Sequence, residues 1–387
     1  MRITACLSTS LLALCLWGCA ENPALTMSAS DAGADAAMDP PDLFMPDLAP
    51  PPNPTEPQLD PHSGVVLANL ELVTISFMDT VYTSEAEDFG DFIVKSKWLE
   101  AVGAEYGVHA GKHLKKVELP MNATTPITDS MLIQFIKTKI MDATLPDPAQ
   151  HPQILYMFYF PPGITITNGT DTICNQFAGY HKHAIYNGNK FTYAVIADCK
   201  AGPDEITITA SHELIETATD PYNAYYLDVG ADDPWQIENG QENGDMCEYE
   251  SDAVHEGGFA LQKNWSNAAA KAGGDPCIPE APANYENIRV SPEGVPAVAA
   301  GASITFTLTG WTKGVVAPWK IAMVNGDAAD FDTTQQQAVL SGTTLYKNSS
   351  VTLTLKAPSD APSGALGGVI IQSGSSHHRW PVAYTVQ

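Results

Sequence analysis

His212, Glu213, Leu214, Ile215 and Glu216 are the residues whose types and spacing point most directly to chemistry. On an α-helix, residues four apart lie one above the other, so the His212 imidazole and the Glu216 carboxylate share a face and can grip one ion. Glu213 then projects beside that ion. Catalytic zinc keeps three protein ligands and leaves a fourth position to water, and a neighbouring carboxylate takes that water's proton as it attacks a polarised carbonyl. Glu213 is placed for this general-base role, and a third ligand must come from elsewhere.

The acid-rich, glycine-punctuated stretch 238–247 is the expected source. Asp245 ranks first because Cys247 pins its neighbourhood, Glu242 second and Glu238 third. Asp220 lies eight residues after His212 on the same face, but Pro221 ends the helix there; it reads as a group that orients a ligand or closes the last turn. His181 and His183 follow Gly179 and Tyr180 in what reads as a loop, and His181 is taken as a supporting group. One imidazole with two carboxylates is a harder donor set than two imidazoles, so zinc is expected with manganese or calcium as alternatives. The competing reading of the motif is a solvated helix face.

The elements that must position these residues are legible in outline. Residues 65–77 and the apolar run 154–160 read as strands, as do residues 191–197. Phe89, Ile93, Leu99, Val102 and Tyr106 keep helical spacing, as do Leu132, Phe135, Ile136 and Ile140 behind the capping candidates Thr128 and Asp129. A further helix is predicted to open at Gly202, Pro203 and Asp204. Its core face is Ile206, Ala210, Leu214 and Ala218, and Asp220 with Pro221 ends it. From residue 284 helical periodicity gives way to short alternating strands at 303–308, 350–355, 368–372 and 381–386. The predicted fold class is therefore α+β over 61–283, followed by an all-β, immunoglobulin-like sandwich over 284–387.

Composition narrows the function. The net charge of -26 leaves no basic excess to displace counterions from phosphates, which argues against nucleic acid and anionic membrane surfaces as partners. Residues 61–283 hold 31 acids against 12 bases, whereas residues 284–387 hold six of each. Residues 1–18 read as a signal peptide ending at a lipobox-like Leu16-Trp17-Gly18-Cys19, with Trp17 where a small residue is usual. Lipidation at Cys19 would anchor the chain, and residues 19–60, with eight acids and many prolines, read as an extended tether. Four cysteines remain, Cys174, Cys199, Cys247 and Cys277. An even count in an exported chain suggests two disulfides, and of the three possible pairings sequence proximity favours Cys174 with Cys199 and Cys247 with Cys277. The expected location is the bacterial cell envelope, as an outer-membrane lipoprotein or a secreted protein, with no membrane contact beyond the anchor.

The run from Ser211 to Pro221, His212-Glu213 and Glu216 within it, resembles the helix of secreted bacterial proteins related to the plant Exordium, or phosphate-induced, family. Cys174 to His181, Glu242 to Cys247, and Leu261, Gln262, Trp265, Ser266 and Asn267 leading to Cys277 match as well, so the resemblance spans about 65–277. It implies a zincin-like metallopeptidase domain and supports the same cysteine pairs. Many plant relatives lack the His-Glu pair and are associated with growth and wall signalling, so the fold can serve without catalysis.

The leading functional expectation is a cell-surface or secreted, metal-dependent hydrolase, a peptidase acting on a peptide or protein substrate, and monomeric. Its ligands are His212, Glu216 and Asp245 or Glu242, with Glu213 as base. The alternative is a non-enzymatic surface binding or adhesion protein. A glycoside hydrolase using paired carboxylates ranks last because no aromatic-lined acid pair stands out. Serine chemistry has no Gly-x-Ser-x-Gly to support it.

Overall fold

A run of seven apolar residues, Ile154–Phe160, leaves no face for water and must lie at the centre of a sheet covered on both sides. It does so. The structure is a computed structural model that describes residues 56–387 apart from 231, 238–240, 249–251, 326–335 and 375–377. The expected signal peptide, Cys19, most of the expected tether and Glu238 lie outside the described residues.

In chain order the first half forms β1 (Glu71–Phe77), α1 (Thr83–Ile93), α2 (Lys97–Gly103), β2 (Lys112–Leu119), α3 (Asp129–Met141), β3 (Ile154–Phe160), β4 (Gly179–Tyr186), β5 (Asn189–Ala197) and α4 (Pro203–Thr219). The five strands make one sheet in the order β2-β1-β3-β5-β4. All neighbours run parallel except β4, which is antiparallel to β5 at the edge. Successive side chains of β3 go to opposite faces. Leu155, Met157 and Tyr159 pack with α1, α2 and α4, while Ile154, Tyr156, Phe158 and Phe160 pack with Leu132, Ile136 and Ile140 of α3. The mixed α and β character expected from the sequence is present, arranged as helices on both faces of a sheet.

Local differences from expectation have physical causes. Residues 65–70 are not strand; β1 begins at Glu71. The single helical run expected over 89–106 is broken, because Ser96 leaves helical geometry and its side chain caps α2 by accepting from the Leu99 backbone. β2 carries Lys112, Lys115 and Lys116 on a sheet edge, where charge protects against unwanted pairing and hides the strand from an apolar-pattern reading. His181 lies in strand β4, not in the loop first expected.

The second half is β-rich, as expected. One sheet holds Tyr285–Ser291, Ser303–Lys313, Ser350–Lys356 and Gln337–Leu340 in that order, and the other holds Ala297–Val298, His378–Val386, Leu366–Ser373, Trp319–Asn325 and Thr344–Leu345. Phe306 and Leu353 of the first share a core with Ile371, Val382 and Tyr384 of the second. That core also takes in Leu59, Trp235, Met246, Cys247 and Trp265, so it crosses the expected boundary at residue 283. Residues 56–60, expected in the tether, belong to the folded body: Glu56 and Leu59 are buried, and Asp60–Pro61 pairs with Tyr225–Tyr226. Disulfides join Cys174 to Cys199 and Cys247 to Cys277, which suits an oxidising compartment. No helix among the described residues is long and apolar enough to cross a membrane.

Candidate metal centre

α4 starts and stops where its sequence says it should. Gly202, at φ +106°, makes the entry turn; Pro203 needs no amide partner in the first turn, and Asp204 and Glu205 favour the helix N-terminus. Asp220 closes the other end, its carboxylate accepting from the Ala224 backbone. Ile206, Ala210, Leu214, Ile215 and Ala218 are buried against the sheet and its neighbours, so tertiary packing holds a helix rich in β-branched threonine. His212, Glu213 and Glu216 lie on the remaining side, and both glutamates are buried.

Two groups of ligand atoms converge there, His212 with Glu216 and Asp245, and His181 with Glu213 and Glu216. In the first, His212 Nε2 is 3.0 Å from Glu216 Oε2 and 3.6 Å from Asp245 Oδ1. Each of these three side chains has its outer polar atom tied down. Gln262 donates its amide to the Gly244 carbonyl at 2.8 Å, which leaves its oxygen to face His212 Nδ1 at 3.0 Å. Nδ1 therefore carries a hydrogen, and Nε2 is the inward nitrogen on which a cation would replace a proton, the usual orientation of a ligating histidine. Glu216 Oε1 accepts from the Asp245 backbone at 2.9 Å, freeing Oε2. Asp245 Oδ2 accepts from the Gln241 and Glu242 backbones, freeing Oδ1. The three inward atoms, one nitrogen and two oxygens, suit a divalent cation.

The loop bearing Asp245 is held from several sides. Cys247 bonds Cys277, Leu227 donates to the Gln241 carbonyl, and Trp265 donates to the Asn243 carbonyl. Gly244 sits where a side chain cannot: a Cβ there would lie 2.7 Å from Glu216 Oε1 and 3.0 Å from His212 Nδ1.

β4 supplies the second group. Its side chains alternate, so Tyr180 and Lys182 reach Asp129 on the α3 side while His181 faces α4. Gly179 lets the strand approach the helix, since a Cβ there would meet Glu213 Oε1 at 2.7 Å. His181 Nδ1 lies 3.3 Å from Glu213 Oε2 and 3.6 Å from Glu216 Oε2, and its Nε2 lies 3.5 Å from Glu242 Oε1. Glu242 thus meets His181 and not His212, and Asp220 stands beside Glu242. His181, Lys182, His183, Asp220, Pro221, Asn223 and Glu242 line a cleft of about 290 Å³ that adjoins these ligands.

Charge is concentrated here. Among the described residues, the ion-pair partners of Glu213, Glu216, Glu242 and Asp245 are histidines alone. Burial opposes charge on His212, but Glu216, Glu213 and Asp245 outweigh it and hold the imidazole well above its ordinary 6.5. His181 is treated the same way: burial opposes its charge, and Glu242, Glu213 and Glu216 prevail. Burial first, then the Glu216 charge, pushes Asp245 well above the usual carboxylate range. Burial and Glu242 lift Asp220 to about 7. Protons and a divalent cation compete for these atoms, because ligands must be deprotonated to bind.

Asp245, His212, Glu216 and Glu213, singled out from sequence, are brought together; Asp220 and Glu242 stand one layer out. Gln262 enters as the group that orients His212, a role no local pattern announces, since it lies 50 residues away. No protein-family model matches the chain, and no curated protein matches it.

Proposed function

We propose that the protein is an exported, metal-dependent hydrolase of zincin-like architecture that cleaves peptide bonds, with an immunoglobulin-like sandwich behind it and a lipid anchor at Cys19. The observation that carries this reading is the arrangement around His212. Three donors have their outer atoms tied and their inner atoms converging, with the Glu213 carboxylate next to them. His212 Nε2, Glu216 Oε2 and Asp245 Oδ1 hold the ion, and zinc fits the imidazole while the two carboxylates also accept manganese or calcium. A bound ion of this kind supplies a Lewis acid that polarises a carbonyl and makes water a better nucleophile.

The chain's own residues do the rest. Glu213 accepts the proton of the attacking water and can return it to the leaving amine. Gly179 keeps the Glu213 carboxylate close to β4. β4 is the last strand of its sheet, so its outer edge offers backbone groups to an extended peptide, and the adjoining cleft takes a side chain. This edge favours a peptide over a sugar or ester substrate.

The experiment is metal analysis and peptide cleavage by the purified full chain and by Glu213→Gln. The variant is expected to keep the ion held by His212, Glu216 and Asp245 and to lose roughly 10²- to 10⁴-fold in rate. A rate unchanged by the substitution refutes the mechanism. A metal-loaded chain that cleaves nothing in a diverse peptide mixture favours the surface-binding alternative.

A further inference from the structure

His181 has the same wiring as His212. Its Nε2 is 3.5 Å from Glu242 Oε1, a carboxylate oxygen that can only accept, so that nitrogen carries a hydrogen. A carboxylate on one ring nitrogen is the arrangement that fixes tautomer and ring plane when the other nitrogen binds a metal. That other nitrogen, Nδ1, faces Glu213 Oε2 at 3.3 Å and Glu216 Oε2 at 3.6 Å. The two carboxylate oxygens facing that nitrogen repel one another unless a positive charge lies among them, and a divalent cation can take the place of a proton on the imidazole as that charge. The imidazole side chain is nearly enclosed, at 11 % exposure, so water screens that repulsion poorly.

Glu216 belongs to both groups. Its Oε2 is 3.0 Å from His212 Nε2 and 3.6 Å from His181 Nδ1, while its Oε1 is occupied by the Asp245 backbone. A carboxylate so placed can bridge two cations, as in sites that hold paired metals.

We propose that His181 Nδ1, Glu213 and Glu216 form a second divalent-cation position sharing Glu216 with the first, and that filling it withdraws Glu213 from proton transfer. Binding at this position stands on its own geometry; its effect on hydrolysis rests on the function proposed above. Because the first position has a full set of donors without the base, it fills at lower concentration. Metal then acts twice, first enabling cleavage and then suppressing it. The cleft beside His181 gives the second ion a route in from solvent.

The test is a zinc titration of the full chain, reading bound metal per chain by calorimetry and elemental analysis, with peptide cleavage followed in parallel. Wild type is expected to bind two ions in separable steps, with the rate rising over the first and falling over the second. His181→Gln is expected to bind one, with no fall at high zinc. Glu242→Ala keeps the imidazole and removes the acceptor behind it, so the second step is expected to weaken roughly 10- to 100-fold while the first is retained. Circular dichroism confirms that each variant is folded. One ion per wild-type chain, or two per His181→Gln chain, overturns the proposal. If no peptide is cleaved at any zinc concentration, the hydrolase reading fails while the stoichiometry still decides the second position.

Discussion

Glu56 offers a measurement whose sign and size follow from the structure. Its carboxyl is buried where the chain enters the fold, with Oε1 accepting from Asn287 Nδ2 at 2.6 Å and from the Tyr285 hydroxyl at 3.1 Å. His378 Nε2 lies 3.9 Å away, and burial pushes that imidazole down to about 4, so it offers no positive charge near neutrality. Burial, with Asp275 adding to it and the two hydrogen bonds opposing, raises Glu56 from 4.5 to about 8. The folded chain therefore holds a proton that the unfolded chain releases above about 4.5. Stability from this group is highest below 4.5, falls as pH rises towards 8, and is level above that. Each pH unit in the window is worth about 1.4 kcal/mol, so the alkaline cost over the whole window is on the order of 5 kcal/mol.

Glu56→Gln removes the titration while its amide oxygen can still accept both hydrogen bonds. Urea unfolding with disulfides intact, followed by tryptophan fluorescence, would be run on both proteins from pH 5 to pH 9. Trp265 stacks on His378 at 6.0 Å and reports on this region directly. The stability of the variant relative to wild type is expected to grow by roughly 3 to 4 kcal/mol across that range. His378 titrates in both proteins and largely cancels in the comparison. A difference that stays flat with pH, or grows as pH falls, refutes the reasoning.

Two further substitutions probe the proposed metal centre without replacing a proposed ligand. Gly244→Ala places a methyl 2.7 Å from Glu216 Oε1 and should weaken metal binding at least tenfold, read by calorimetry, with little change in thermal unfolding of the metal-free chain. Gln262→Ala frees His212 Nδ1 and should cost roughly 10- to 100-fold in affinity for the first ion; unaltered affinity would show that Gln262 does not set the histidine's tautomer.

What the sequence disclosed and what it hid divide along physical lines. β3 was legible because a strand covered on both faces must be apolar throughout, and α4 because Gly202-Pro203 and Asp220-Pro221 punctuate both ends. β4 was not, since both its faces carry polar work: Tyr180 and Lys182 meet Asp129 while His181 meets the glutamates of α4. Its alternation was present in Gly-Tyr-His-Lys-His but lacked the apolar half that marks a strand. The acidic loop was recognised as the source of Asp245. That Glu242 in the same loop would turn to His181 depends on the fold bringing β4 alongside, which no spacing encodes. Glu56 was hidden by its proline-rich surroundings, and its partners lie more than two hundred residues away.

The core that crosses residue 283 ties the segment bearing Asp245 to the C-terminal sheets. Met246 and Cys247 stand next to Asp245, and they pack in one cluster with Trp235, Trp265, Trp380 and Tyr384. Trp235 lies between the two halves, 6.1 Å from Trp265 and 6.0 Å from Trp380. A chain ending at residue 283 would keep every proposed ligand yet strip the backing from the segment that presents Asp245. Substitutions on the inner face of the C-terminal sheets should therefore alter ion affinity from a distance, through the cluster that backs Met246 and Cys247.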